Sequence, residues 1–366
     1  MPRSVADDGK LIEYRRNPLM KPPIVTITLC GVLLSASVFA QEATTKPKEI
    51  DIFGQYLGNW TSEVTNKPAV WDQKGTKYKT FNHAEMILDG WFLHHIEVSH
   101  IAGEPDKVTK SLFLWTFDPN TNKYLGWPFQ STGITGPSTG EWNPITKTLV
   151  TSPVEPPLNT TSKMTEQFLD AQTIKGNLTY IEGGGKTLMD MVWTRNRQPE
   201  DAAKATREQW DKIGTPIQPL PAEIKKLEPF IGEWDSEFIN SPSVQSPKGS
   251  TSTGKMTGKW ILDGRFLFGT SEVGTHRSIW LIGYDTPKAA YRYVRFTNAG
   301  LIDESVGQWN EETRSFIWKV VNERPGITRT STNQIIGQDT VLAHILAKDN
   351  TGKVHQDLKI KSTRRK

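Results

Sequence analysis

The strongest constraint on this chain is an internal repeat. Three motifs occur twice and in the same order: Gly-x-Trp at 58–60 and 232–234, Ile-Leu-Asp-Gly-x-Phe-Leu at 87–93 and 261–267, and Gly-x-Trp-Asn at 140–143 and 307–310. The offset between the copies is 174 residues in the first two motifs and 167 residues in the third. Chance does not hold one register across so many glycine and aromatic positions, and we infer a tandem duplication.

Each copy has the pattern of many short strands. Apolar residues alternate with polar ones, as in Trp60, Ser62 and Val64, and a period of two is typical of a half-buried strand. Turn signals recur along both copies, among them Leu-Asp-Gly in each copy and Asp-Pro-Asn in the first. No crossover helix separates the strands, which predicts a mainly β fold with an antiparallel barrel or sandwich in each copy. A brief helical pattern precedes each copy, at 50–57 and 222–231.

The duplication divides the chain into a leader, two repeats and a linker. The first repeat covers 48–196 and the second covers 227–366. The linker, 197–226, contains a short helical pattern at 200–213 and then a Pro-rich stretch at 214–221, which we expect to be extended and stiff. A chain of 366 residues is long enough for two such domains.

The first 40 residues have the pattern of a cleaved export signal. Basic residues precede the apolar run 24–40, and Val38 and Ala40 occupy the −3 and −1 positions of a signal peptidase site. This run of 17 residues is short for a membrane span, and no charged stop-transfer flank follows it. We expect cleavage before Gln41, no stable membrane span afterwards, and a periplasmic or extracellular mature protein. Met20 is an alternative start of the leader.

Charge and cysteine content narrow the range of functions. The formal net charge of +4 falls to +2 when the leader is removed, so electrostatics gives no reason to expect a nucleic acid partner. The single cysteine, Cys30, lies in the leader. The mature chain therefore forms no disulfide, thiolate metal site or thiol nucleophile.

The motifs resemble those of calycin or lipocalin-like barrels. In such barrels a short helix precedes Gly-x-Trp on the first strand, and the last strand ends in Thr-Arg, as both copies do here. The resemblance implies two tandem antiparallel calycin-like β-barrels, with Trp60 and Trp234 closing one end of each. It also implies that Arg195 and Arg364 stack on those indole rings, where a guanidinium group also caps nearby carbonyl groups.

The same set of motifs is more specifically similar to a bacterial secreted domain-of-unknown-function family, DUF fifteen-seventy-nine. The similarity covers nearly all of both copies. The first copy departs from the pattern at Phe117, where Thr-Phe-Asp replaces Gly-Tyr-Asp, and in the Pro- and Gly-rich segment 126–144. This family implies a barrel fold and no particular activity.

No catalytic, cofactor or metal signature stands out in the sequence. Asp89 and Asp263 belong to Leu-Asp-Gly motifs, which suit a tight hairpin turn because Asp and Gly tolerate positive φ. His94 and His100 are weak metal candidates, since strand alternation places them on one face, but no third ligand follows at a recognisable spacing. We therefore expect no cofactor, and the sequence favours a protein that is not an enzyme.

Aromatic side chains are the remaining signal, with 13 tryptophans in the chain. Most are expected in the barrel cores, and a minority at a barrel mouth, where an apolar ligand would bind. The candidate ligand-binding residues are Trp91, Trp115, Trp127, Phe129, Trp260, Trp280 and Phe296. The leading hypothesis is binding of a small apolar or amphiphilic ligand in one or both barrels.

Two other functions stay open. If side chains fill the barrels, the chain is better interpreted as a structural or interaction module of the cell envelope. If strand residues such as His94 converge with a carboxylate inside a cavity, a hydrolase or isomerase is favoured. The state of the barrel interiors therefore discriminates among the three hypotheses.

We expect signal peptidase to release a chain that begins at Gln41. Ala40→Lys removes the small residue at the −1 position and leaves the leader attached. Phe39→Gln, at the tolerant −2 position, is the matched control. Intact-mass measurement of the exported protein tests this, and an exported chain that still begins at Met1 or Met20 would contradict it.

Overall fold

The computed structural model describes residues 45–133, 136–156, 159–321 and 325–366. The leader and its predicted cleavage site lie outside these residues. The described part contains twenty strands, one α-helix and two 3₁₀ helices. It belongs to one compact unit that covers 36–366.

Ten strands close the first barrel. Neighbouring strands run antiparallel, and β1 pairs with β10 to complete the ring. The strands are β1 (Gly58–Lys67), β2 (Thr76–Ile87), β3 (Phe92–Ile101), β4 (Glu104–Asp118), β5 (Lys123–Gln130), β6 (Ser138–Asn143), β7 (Thr148–Pro153), β8 (Thr160–Phe168), β9 (Thr173–Glu182) and β10 (Thr187–Gln198).

Ten further strands close the second barrel in the same order, with β11 paired to β20. The strands are β11 (Gly232–Asn240), β12 (Ser250–Ile261), β13 (Phe266–Val273), β14 (His276–Asp285), β15 (Ala290–Thr297), β16 (Ile302–Asn310), β17 (Ser315–Val320), β18 (Ile327–Ile336), β19 (Thr340–Asp349) and β20 (Val354–Arg364). The predicted fold class, two tandem antiparallel β-barrels, is confirmed.

Short helices plug one end of each barrel. A 3₁₀ helix precedes each barrel, at Lys48–Gln55 and at Ala222–Phe230. Phe53 and Leu227 on these helices are fully buried in the barrel cores. Helix α1 (Ala202–Asp211) lies between the barrels in sequence.

A tryptophan and an arginine complete the plugged end of each barrel. Trp60 Nε1 donates to the carbonyl oxygen of Tyr56 at 2.7 Å, and the Arg197 guanidinium lies 4.2 Å from the centre of the Trp60 ring. In the second barrel the Arg364 guanidinium lies 4.3 Å from the ring of Trp234. Each arginine also donates to carbonyl groups at the preceding helix. Stacking and hydrogen bonding therefore fix the helix to the barrel together.

Arg195, the residue expected from the Thr-Arg motif, does not close the first barrel. The strand register places Arg197 opposite Trp60, and Arg195 opposite Ser62. Arg195 is buried inside the barrel and pairs with Glu166. The Thr-Arg match between the copies is therefore two residues out of the strand register, and Arg197 takes the place that Arg364 has in the second copy.

The outward faces of the two barrels pack against each other in an apolar interface. Side chains of β3–β5 and β13–β15 form one buried cluster. The rings of Phe92 and Phe296 lie 5.3 Å apart, and those of Phe129 and Phe266 lie 5.4 Å apart. Both pairs are edge-to-face, a geometry that adds stabilisation to the apolar area it buries.

These contacts follow a local two-fold relation between the copies. At the repeat offsets Phe92 corresponds to Phe266, and Phe129 corresponds to Phe296. The two aromatic pairs are therefore equivalent: each joins the same two repeat positions, and the barrel that contributes each position is exchanged between them. Such an interface is isologous: both partners use the same surface patch, as in a symmetric dimer. This chain carries such an interface within one polypeptide.

Two ion pairs of the interface follow the same relation. Lys110 Nζ donates to Asp263 Oδ1 at 2.7 Å, and Arg277 pairs with Asp89 at the equivalent place. The Lys110 and Asp263 side chains are only 4% and 2% exposed, whereas the other pair is half exposed. Asp89 and Asp263 have positive φ, as their turn motif requires. The same turn therefore also presents a carboxylate to the opposite barrel.

We expect the buried ion pair to matter far more than its exposed equivalent. Lys110→Met leaves the Asp263 carboxylate buried without its counter-charge and lowers the free energy of unfolding by about 3–5 kcal/mol. Arg277→Met, the matched control, leaves Asp89 in contact with water and changes stability little. Urea unfolding of both variants measures the difference. Equal losses in the two variants would contradict this account of the interface.

Candidate functional site

The interiors of the two barrels differ in their free volume and in their ionisable side chains. Strand alternation sends every second side chain inward. The second barrel encloses a cavity with a volume of about 180 Å³. An apolar cavity of about 150 Å³ holds one benzene-sized molecule. The second barrel therefore has room for a single ring or a short chain.

The walls of this cavity are largely apolar. The aromatic and aliphatic residues that face it include Phe238, Met256, Trp280, Ile282, Trp318, Val341, Ile345 and Ile360. Gly269 makes room for the Trp280 indole, whose ring atoms lie where a Cβ at position 269 would stand. Trp318 Nε1 donates to Asn333 Oδ1 at 2.7 Å. Trp280 Nε1, in contrast, is buried with no hydrogen-bond partner among the described residues.

Two arginines form a charged part of the same wall. Arg295 and Arg329 both line the cavity and share the carboxylate of Asp303, at 3.0 Å from Arg295 Nε and 3.4 Å from Arg329 Nη1. Burial opposes ionisation of Asp303, but the two guanidinium groups outweigh it and hold the pKa of Asp303 below its usual value. The network is therefore ionised at neutral pH and offers hydrogen-bond donors beside an apolar space.

The interior of the first barrel contains a different set of ionisable side chains, beginning with a histidine. His95 is buried, and its Nε2 lies 2.9 Å from Asn82 Oδ1. Burial, assisted by the charge of Arg195, lowers the pKa of His95 well below its usual value, so the ring is neutral at pH 7. Because an amide oxygen only accepts hydrogen bonds, Nε2 carries the proton and Nδ1 is left as an acceptor.

Two carboxyl groups share this interior with His95. Glu166 accepts hydrogen bonds from the Tyr56 hydroxyl at 3.0 Å and from Trp193 Nε1 at 3.2 Å. Its charge is balanced by Arg195 Nη2 at 3.1 Å. Burial raises the pKa of Glu97, and the nearby Arg195 offsets that rise only in part. The first barrel thus contains a compact set of buried acid, base and guanidinium groups.

The duplicated copies have diverged at these positions. At the repeat offsets the ionisable residues of the first barrel correspond to small or neutral ones in the second: His95 to Gly269, Glu97 to Ser271, Glu166 to Asn333 and Arg195 to Ser362. The exchange removes both charge and side-chain volume from the barrel that contains the cavity. Position-by-position comparison of the copies is the sequence signal that identifies this cluster, which histidine spacing alone misses.

The predicted aromatic residues fall into different environments. Of the seven, all within the described ranges, Trp280 lines the cavity. The others pack against protein: Trp127, Phe129 and Phe296 in the interface between the barrels, Trp91 beside it, Trp115 in the core of the first barrel and Trp260 against the core of the second. The three interface residues are therefore not at a barrel mouth. Alternation separates two faces of a strand but does not say which face is inside.

The histidines predicted as weak metal candidates do not converge. His94 Nδ1 lies 3.6 Å from Glu85 Oε1, and His100 Nε2 lies 3.2 Å from Gln209 Oε1 near the surface. Within the described ranges no group of three His, Cys, Asp or Glu is placed to hold a metal ion. The same part of the chain contains no helix that is long and apolar enough to cross a membrane.

No family model and no curated protein matches the chain. Similar solved structures include a protein of unknown function of the DUF3598 family from Nostoc punctiforme, at 11% identity over 87% of this chain and 100% of that chain, with a TM-score of 0.25. The S-type phycobiliprotein lyase CPES of Guillardia theta is 9% identical over 43% and 96%, with a TM-score of 0.33. Rv2717c of M. tuberculosis is 11% identical over 40% and 100%, with a TM-score of 0.32. Likeness at this level does not indicate a function. Membership of DUF fifteen-seventy-nine stays a prediction.

Acidification should reveal the buried, neutral state of His95. The folded protein holds the pKa of His95 below the unfolded value of about 6.5, so only the unfolded chain takes up this proton as the pH falls below that value. His95→Gln keeps a donor for Asn82 and removes the titration. We expect the stability advantage of the native protein over this variant to shrink by up to about 1.4 kcal/mol per pH unit below pH 6.5.

Urea unfolding at several pH values from 7.5 to 5 measures this difference. Glu97 has a raised pKa and acts in the opposite direction, which is why the comparison uses the variant and not the native curve alone. His100→Gln, on the surface, is the control. Parallel pH curves for the native protein and His95→Gln would refute the assignment.

Proposed function

We propose that this protein is an exported binding protein that takes a small amphiphilic molecule into the cavity of its second barrel. The observation that carries the proposal is an apolar cavity of about 180 Å³ with a partnerless indole N–H, that of Trp280, buried in its wall. Export is part of the proposal and rests on the leader sequence alone.

The apolar part of the ligand is set by the cavity walls. Trp280, Trp318 and the aliphatic side chains of β19 and β20 offer flat and branched surfaces at close range. Burial of about 25 cal/mol per Å² of apolar surface favours a ring or short alkyl chain there over water. The volume restricts this part to a single ring or a short chain.

The polar part of the ligand is set by the donors. An unmet buried N–H costs about 1–3 kcal/mol, and a ligand oxygen that accepts from Trp280 Nε1 removes that cost. Arg295 and Arg329 add positive charge to the same lining. We infer that the ligand has an apolar body and at least one hydrogen-bond acceptor.

The two alternative functions have different support. A cavity in the second barrel counts against an interaction module with filled barrels. The cluster of buried His95 and Arg195 with the half-buried Glu97 in the first barrel is the observation that favours an enzyme. The cluster contains an acid and a base, but the cavity found lies in the second barrel, and ligand binding there is the better-supported proposal.

Filling the cavity should weaken binding without unfolding the barrel. Ser331 lines the cavity, whereas its neighbour Thr332 does not and faces the other side of β18. We expect benzoate, an aromatic ring with acceptor oxygens, to bind the native chain saturably in ligand-observed NMR. Ser331→Leu should weaken this binding at least about tenfold, and Thr332→Leu should leave it within about twofold. The absence of saturable binding to the native chain, or equal loss in the two variants, would refute the proposal.

A further inference from the structure

We propose that the first barrel contains a second binding site, which takes a small neutral molecule through a carbonyl or hydroxyl oxygen. Ser62 Oγ and Arg195 Nε hold that oxygen. The site is separate from the cavity of the second barrel, and its argument does not depend on the ligand proposed there.

The two atoms are buried next to each other and unsatisfied. Ser62 is 3% exposed and Arg195 is 7% exposed. They stand directly opposite each other on β1 and β10, on the inward face. Within the described ranges neither Ser62 Oγ nor Arg195 Nε has a hydrogen-bond partner. Buried donors in native structures are almost always satisfied, so a group outside the polypeptide is expected between them.

The second copy shows what a satisfied version of this position is like. Ser236 and Ser362 occupy the places of Ser62 and Arg195, and their hydroxyl groups bond to each other at 2.8 Å. The two hydroxyl groups of the second barrel therefore satisfy each other. The pair in the first barrel instead leaves Ser62 Oγ and Arg195 Nε without a hydrogen-bond partner among the described residues.

Small side chains lie beside Ser62 on the two strands that follow β1. Thr80 lies opposite Ser62 on β2, and Ser99 lies opposite Thr80 on β3. A closed ten-stranded barrel is also wider than the eight-stranded barrels that hold one small ligand. These short side chains and the width of the barrel are why the proposed ligand is as small as acetamide.

The charges of the cluster favour a neutral ligand. Arg195 is already balanced by Glu166 at 3.1 Å, and His95 is neutral because it is buried. A carboxylate ligand would stand beside Glu166 and Glu97 and be repelled by any negative charge on them. A carbonyl or hydroxyl oxygen accepts the same two hydrogen bonds without that repulsion.

Acetamide and acetate test this, because they match in size and differ in charge. The probe is the Nε–H resonance of Arg195 in a nitrogen–proton correlation spectrum of the full mature chain. We expect acetamide to shift that resonance saturably and acetate not to shift it. Ser62→Ala should weaken acetamide binding about fivefold, the effect of one hydrogen bond, because Ser62 has no bond within the protein to lose.

Ser236→Ala is the matched control in the second barrel. It breaks the bond to Ser362, so it should lower the urea midpoint and leave acetamide binding unchanged. Benzoate binding to the second barrel should be the same in Ser62→Ala as in the native chain, which separates the two sites. An Arg195 resonance that acetamide does not shift, a shift unchanged in Ser62→Ala, or equal binding of acetate would overturn the proposal.

Discussion

The contact between the two barrels decides which surfaces of this chain remain for a ligand. It uses the outward aromatic side chains of both barrels, including Phe92, Phe129, Phe266 and Phe296, and buries the Lys110–Asp263 pair at its edge. Aromatic residues that would otherwise form an apolar surface patch are therefore covered by the other copy. The cavity of the second barrel lies on the opposite side of the same strands.

The local two-fold relation explains how one duplicated sequence supports two different interiors. Because both barrels use the same face and the same turn to meet, the interface constrains outward residues in the two copies alike. Inward residues are under no such mutual constraint. In the first barrel they include His95, Glu97, Glu166 and Arg195, and in the second they are small enough to leave a cavity. The fold is thus shared, while the chemistry inside it is not.

Much of the fold could be predicted from the sequence, and the reason is physical. Strand alternation and turn motifs are local, so they indicate two antiparallel β domains directly, and the resemblance to calycin-like barrels favours the barrel over the sandwich. The arginine that closes the first barrel was predicted two residues too early, at Arg195 instead of Arg197. A two-residue error keeps the side chain on the same face, so the alternation pattern does not expose it.

The candidate site was harder to predict because it depends on which face of each strand is inside. Trp127 and Trp280 have equally apolar surroundings in the sequence, yet one lies between the barrels and the other lines a cavity. Histidine spacing alone does not select His95 over its neighbour His94, which points the other way on β3. Only the closed ring of strands, a product of long-range pairing, assigns the inside to one face.

Native mass spectrometry of the chain from residue 41 onward, purified without denaturation, tests the central claim most directly. If the second barrel binds a small amphiphile, the folded chain carries one low-mass molecule at fixed stoichiometry, or acquires one from a cell extract. That molecule is released on denaturation and has an apolar body with a hydrogen-bond acceptor. A folded chain that shows only its bare mass, before and after exposure to the extract, would contradict the account.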